Sequence, residues 1–174
     1  MKLILVDLNI ELVRCWQSAF ATFPEVEILC GNILQAAKTC VVSPANSYGF
    51  MDGGIDLEYV NYFGLQLQVK VQQAISLRPE GHLPIGASLI VATGTATIPY
   101  LIVAPTMELP GRVSFQNCYY AMVAVLQIAS QHPDVLTEVY CPGLATGTGA
   151  VEPRYAAQEM AIAYSDWKTR SLLL

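Results

Sequence analysis

Short apolar runs alternate with helix-period segments along this chain, and that alternation restricts the fold more than any other feature. Lys2–Val6, Val26–Cys30, Thr39–Ser43, Ala87–Thr93, Ile98–Ala104 and Thr137–Cys141 each read as a short buried strand. Between the first two, Ile10, Val13, Trp16, Phe20 and Phe23 recur at three- and four-residue steps, which predicts a helix stopped by Pro24. The stretch after Asp56 fits two patterns. Leu57, Val60, Gly64, Leu67, Val71 and Ala74 share one helical face, while Leu65–Val71 alternates like a half-buried strand; its length and Gln-rich tail favour a single helix. Gly94-Thr95-Ala96-Thr97 joins two strands as an antiparallel hairpin. Asn117–Gln131 reads as a helix, and Pro153 suits the first position of a last one, with Ala156, Met160, Ala163 and Trp167 facing inward. About six strands and four helices in alternating order predict an α/β fold. Its expected form is a three-layer α/β/α sandwich around a mixed, mostly parallel central sheet.

Length places all 174 residues in one domain, with residues 1–25 expected as an N-terminal strand–helix extension packed on it. Apolar residues make up 53% and charged ones 13%, a balance that favours a buried core over disorder. The net charge of -5 argues against a surface for duplex nucleic acid, which needs clustered Lys and Arg. The five cysteines are isolated and form no CxxC pair, so buried thiols in a reducing compartment are expected, with no metal and no cofactor. The run Leu3–Val6 is cut by Asp7, too short for a signal-peptide core, and no apolar stretch approaches the ~20 residues that span a bilayer. A cytoplasmic protein without a membrane partner is the expectation.

Two of the strands feed glycine-rich loops. The first is Ser43-Pro44-Ala45-Asn46-Ser47-Tyr48-Gly49-Phe50-Met51-Asp52-Gly53-Gly54-Ile55-Asp56, the second Pro142-Gly143-Leu144-Ala145-Thr146-Gly147-Thr148-Gly149-Ala150. Glycine permits positive φ and close approach of a ligand to the backbone, and successive N–H groups bind phosphate oxygens. In open α/β sheets ligands sit beyond the carboxyl ends of strands, so both loops are expected to share one cleft. The second loop is not a Walker loop, since no Lys follows its glycines, and it does not open an early strand–helix unit as a Rossmann fingerprint does. Asn46 offers an amide that donates and accepts, suited to a vicinal diol; Asp56 falls near a helix start. Loop and cap chemistry is the competing account of Asn46 and Asp56, and an ordinary strand–helix connection that of the second loop. His82 and His132 have no nucleophile nearby in sequence and read as surface residues; Tyr48, Phe50, Tyr62, Tyr100 and Tyr155 are candidates to stack on a base.

Taken in order, these segments resemble a macrodomain, over residues 26–165. Gly31-Asn32-Ile33 is similar to that family's Gly-Asp-Ile segment, and Val41–Ser47 to its strand ending in Asn-Ala-Ala-Asn. Asp52–Asp56 is similar to its Gly-Gly-Gly-Val-Asp loop, Leu101–Pro105 to its strand ending in Pro, and Pro142–Gly149 to its phosphate loop. The resemblance implies an α/β/α module that binds ADP-ribose or a related small nucleotide, alone or attached to a macromolecule; some members hydrolyse ADP-ribosyl esters and glycosidic links. It places Asn32 and Ile33 by the adenine and Asn46 at the distal ribose. Gly53, Gly54 and Ile55 would hold the diphosphate from one side, and Thr146, Gly147, Thr148 and Gly149 from the other. Asp56, with Asn46, takes the catalytic position that activates or orients water. The chain departs from the pattern in Asn32 for Asp, Ser43 for the first Asn, Met51-Asp52 where glycines are common, and no aromatic after the central glycine of the second loop.

Three functions stay open at this level: an ADP-ribosyl hydrolase, a non-catalytic nucleotide reader or scavenger, and an interaction module with a vestigial cleft.

Overall fold

The computed structural model describes residues 1–171. The elements run β1 (Lys2–Asp7), α1 (Ile10–Ala19), β2 (Glu27–Cys30), α2 (Ile33–Ala36), β3 (Cys40–Ser43), α3 (Gly54–Phe63), α4 (Gln66–Ser76), β4 (Leu89–Ala92), β5 (Tyr100–Val103), α5 (Gln116–Gln131), β6 (Glu138–Cys141) and α6 (Pro153–Ser171). The strands form one sheet in the order β2-β1-β6-β3-β5-β4. Five of them are parallel, and β4 pairs antiparallel with β5 at one edge, as the hairpin reading expected. The fold is the mixed, mostly parallel α/β/α sandwich.

Successive side chains of a strand point to opposite faces, so a strand covered on both sides must be apolar at every position. β1 shows this plainly. Leu3 and Leu5 enter the core shared with α1, α5 and α6, while Ile4 and Val6 enter the core shared with α2, α3 and α4. β6 divides in the same way, Val139 and Cys141 on one side and Tyr140 on the other, and so does β5, Ile102 against Leu101 and Val103. At about 25 cal/mol per Å² of apolar surface removed from water, these two cores are the main stabilising contribution.

β1 lies inside the sheet, paired with β2 through Ile4↔Glu27 to Asp7↔Cys30 and with β6 through Lys2↔Glu138 to Leu5↔Cys141. α1 packs on α6. The N-terminal strand and helix are therefore interleaved with the layers, not laid over them.

Three helical details differ from the sequence reading, the first being that α1 ends at Ala19, with Phe20 as its C-cap, before reaching Pro24. The single helix expected after Asp56 is two, because Gly64 takes φ +93 and its amide closes the turn on the Val60 carbonyl. Gly64 falls on the apolar face at helical spacing, so periodicity carries straight through the break. α2 is one turn long, started by Asn32 as N-cap, and a four-residue helix has no periodicity to detect.

The five parallel strands deliver their carboxyl ends to one edge of the sheet. The segments after Cys30, Asp7, Cys141, Ser43 and Val103 thus lie side by side in the order of the strands.

Candidate functional site

A cavity of about 730 Å³ opens along that edge. Its wall contains Asn32, Ile33, Asn46, Gly53, Gly54, Ile55, Asp56, Thr146, Gly147, Thr148 and Gly149, so every site residue expected from the sequence meets in one place. The two loops face each other closely: a Cβ on Gly53 would stand 4.0 Å from the Thr148 hydroxyl. Among the five candidate aromatics, only Phe50 joins the wall; Tyr155 stacks on Phe115 with centroids 5.5 Å apart, and Tyr62 packs edge-on against Phe63. Neither His82 nor His132 is part of it.

The first loop is held by side chains as well as by backbone. Asn46 is buried, its Oδ1 accepting from the amides of Tyr48 and Phe50 (both 3.2 Å) while its Nδ2 donates to the Phe50 carbonyl at 2.8 Å. An amide has two acceptor lone pairs and two N–H donors, so one N–H is left for a ligand. The Met51 amide donates to Gln68 Oε1 on α4 at 2.8 Å, and the Ser47 amide to Met107 and Glu108 carbonyls beyond β5. Gly49 has φ +70, and a Cβ there would meet Val71 at 2.9 Å. Two independent reasons thus demand glycine. The loop ends in α3, whose N-cap, Gly53, makes no side-chain cap. The amides of the first turn point from the positive end of the helix with no capping acceptor, a ready anion site.

The second loop is held by backbone. Ala145 and Ala150 adopt φ +59 and +51, left-handed values that disfavour a Cβ by roughly 1–2 kcal/mol each. Bonds from the Ala150 amide to the Gly147 carbonyl and from the Val151 amide to the Ala145 carbonyl close it. A Cβ on Gly149 would sit 2.6 Å from the Ala145 carbonyl oxygen, and one on Gly143 would fall on the Thr146 hydroxyl. Among the described residues, the amides of Thr146, Gly147, Thr148 and Gly149 meet no protein acceptor. Successive N–H groups without acceptors are the kind of donor from which anion sites are built.

Asp56, on the first turn of α3, is buried in the cavity wall. Its Oδ1 accepts from the Ser43 hydroxyl at 2.6 Å, and its Oδ2 has no hydrogen-bond partner among the described residues. Burial pushes its carboxyl up to about 7, and the Ser43 hydrogen bond opposes the rise. The Tyr59 hydroxyl, one turn further on, donates to the Val42 carbonyl at 3.0 Å.

Several wall residues escaped the sequence reading. Asp7, at the end of β1, accepts from the Asn9 amide at 2.9 Å and from the Gly143 amide at 3.0 Å, so it ties the second loop to the N-terminal strand. The signal existed, because Asp7 ends an apolar run as Ser43 and Cys141 do. Asp52, Glu58, Met107 and Pro110 are also in the wall. It therefore carries four carboxylates, those of Asp7, Asp52, Asp56 and Glu58, and no Lys, Arg or His.

Comparison with known proteins decides the family, since the Macro domain model matches residues 42–160. The chain is a macrodomain. An uncharacterised protein of Aquifex aeolicus is 28% identical over 137 residues, 78% of each chain. Among solved structures, the macrodomain of Mycobacterium tuberculosis DarG superposes with a TM-score of 0.67 at 20% identity, covering 78% of this chain and 87% of that one. A mutant Oceanobacillus iheyensis macrodomain with ADPR superposes with a TM-score of 0.61 at 15% identity, covering 73% and 70%. At these identities the solved structures establish the fold. In this macrodomain Asn32 caps α2 by accepting from the Leu34 amide at 2.9 Å.

Proposed function

We propose that this macrodomain binds ADP-ribose, or a closely related ADP-ribosyl nucleotide, in the cleft between its two Gly-rich loops. The observation that carries the reading is that two sets of main-chain amides without protein acceptors among the described residues, at Gly54–Asp56 and Thr146–Gly149, belong to residues that line one cavity. Uncharged donors grip a diphosphate where the wall offers no cationic side chain. The rim orders the rest. Asn32 and Ile33 follow β2 at one end, the two loops follow β6 and β3 in the middle, and Met107 and Pro110 follow β5 at the other. A base, a diphosphate and a distal ribose in that linear order match it, the last meeting the free N–H of Asn46. About 730 Å³ lies in the usual range for a small-molecule site. A solved neighbour, the Oceanobacillus iheyensis mutant, carries ADPR.

The same geometry supports hydrolysis. Water held by Asp56 Oδ2, directly or through the ligand's phosphate, attacks the ribose C1 or an ester carbonyl and gives up a proton to the carboxylate; the bond from that carbon to the leaving atom breaks, and the leaving group takes up the proton that Asp56 returns. A carboxyl near 7 is matched to that exchange at neutral pH. Positioning by the loops and the fixed amide dipoles supply most of the acceleration. A reader without turnover is the second reading, favoured because three of the four hydrogen bonds open to the Asn46 amide are made within its own loop.

Isothermal titration with ADP-ribose tests binding, and release of ADP-ribose from an ADP-ribosylated protein or O-acyl-ADP-ribose tests turnover. Asp56→Ala is expected to bind ADP-ribose and lose at least about a hundredfold in rate. Binding without turnover in the natural protein selects the reader. Absence of binding leaves the cleft as part of an interaction module.

A further inference from the structure

Ser43 has no part in the function drawn so far, yet it makes the one hydrogen bond that reaches Asp56 from elsewhere in the fold. We propose that Ser43 is the positioning residue of the cleft: its hydroxyl holds Asp56 Oδ1, leaving Oδ2 as the oxygen that meets a bound ligand or its water.

Four observations converge. First, Ser43 is fixed by the sheet. It ends β3, in register with Val103 of β5, and its carbonyl accepts from the Ala104 amide at 3.0 Å. Second, both partners are buried, Ser43 at 1% and Asp56 at 7% exposure, so the 2.6 Å contact is made out of bulk water, where a hydrogen bond to a charged group is strongest. Third, nothing competes. Tyr59, the other hydroxyl near this carboxylate, is turned to the Val42 carbonyl. The titratable groups sharing the wall are Asp7, Asp52 and Glu58, all carboxylates, and Asp7 has both oxygens engaged by backbone amides. Fourth, Asp56 sits in the first turn of α3, where side chains lean back toward the helix N-terminus and so toward the cleft. A carboxylate with one oxygen pinned cannot rotate freely, and the choice of reacting oxygen is made before a ligand arrives.

Only the identity of what Oδ2 meets rests on the nucleotide reading, so the test judges the two separately. The ¹³C-carboxyl resonance of Asp56, assigned by its loss in Asp56→Asn, is titrated in the ligand-free natural protein and in Ser43→Ala, Ser43→Thr and Ser43→Val. The last two compare a hydroxyl with a methyl at equal volume, which keeps the test intact if Ser43→Ala fails to fold. Removing the hydroxyl is expected to raise the Asp56 midpoint by about one pH unit, with Ser43→Thr staying near the natural value. Where turnover is measurable, the acid limb of the kcat profile moves with it. Identical Asp56 midpoints in Ser43→Thr and Ser43→Val, or in the natural protein and Ser43→Ala, overturn the proposal. ADP-ribose titrated into the natural protein at the same time judges the ligand: no binding there rejects the nucleotide reading, and the carboxyl titration still decides Ser43.

Discussion

The two loops that face each other across the cleft are stabilised by different balances of side chain and main chain. Residues 43–56 add side chains to their backbone bonds: the Asn46 amide makes three bonds to its own loop, Gln68 holds the Met51 amide, and Ser43 holds Asp56. Residues 142–150 are organised largely by main chain, through two left-handed alanines and glycines packed where a Cβ has no room, with the Asp7 carboxylate and the Cys118 thiol recruited from outside. The first loop is thus the more vulnerable to deletion, although Gly49 also admits no Cβ, and the second is the more vulnerable to addition. The first also buries an ionisable group, which the second does not.

That last difference has the largest expected effect. The folded carboxyl of Asp56 titrates near 7 against an ordinary value of 3.8, so the folded state binds the extra proton between those limits. Its contribution to stability is full below about pH 4 and is lost as pH rises through about 7, by an order-of-magnitude figure of about 4 kcal/mol. Denaturant unfolding from pH 4 to 8 should show this decline superposed on the other groups, and Asp56→Asn should flatten it. An unchanged slope in the variant would remove the burial argument. Next comes addition to the second loop. Gly149→Ala drives a methyl into the Ala145 carbonyl, a rigid neighbour, and is expected to destabilise by about 3 kcal/mol and to weaken nucleotide binding more than tenfold. Deletion in the first loop is milder. Asn46→Ala leaves two amides and a carbonyl to find water, at about 2 kcal/mol by thermal unfolding. Should Gly149→Ala prove the gentler of the two, the second loop is more pliant than its backbone bonds imply.

Much of this contrast is legible in the order of the amino acids. The six strands show because each is apolar on both faces, and the two loops show because glycine, proline and asparagine cluster where those runs end. Residues 32–33, 46, 53–56 and 146–149 meet in one cavity for that topological reason. The rest depends on contacts that carry no local pattern. Ser43 and Asp56 are thirteen positions apart and Asp7 and Gly143 are 136 apart, with no periodicity linking either pair. Asp7 is hidden for another reason: a short first strand looks like an appendage until its partner β6 is known. The division of the expected helix at Gly64 is masked by the spacing of the apolar residues around it.

The place of β1 has a consequence for assembly. Its Lys2 is registered with Glu138, so one whole row of its hydrogen bonds must wait until β6 has left the ribosome. During synthesis the middle of the sheet is therefore the last part to be zipped, and the floor of the cleft exists only once most of the chain has emerged.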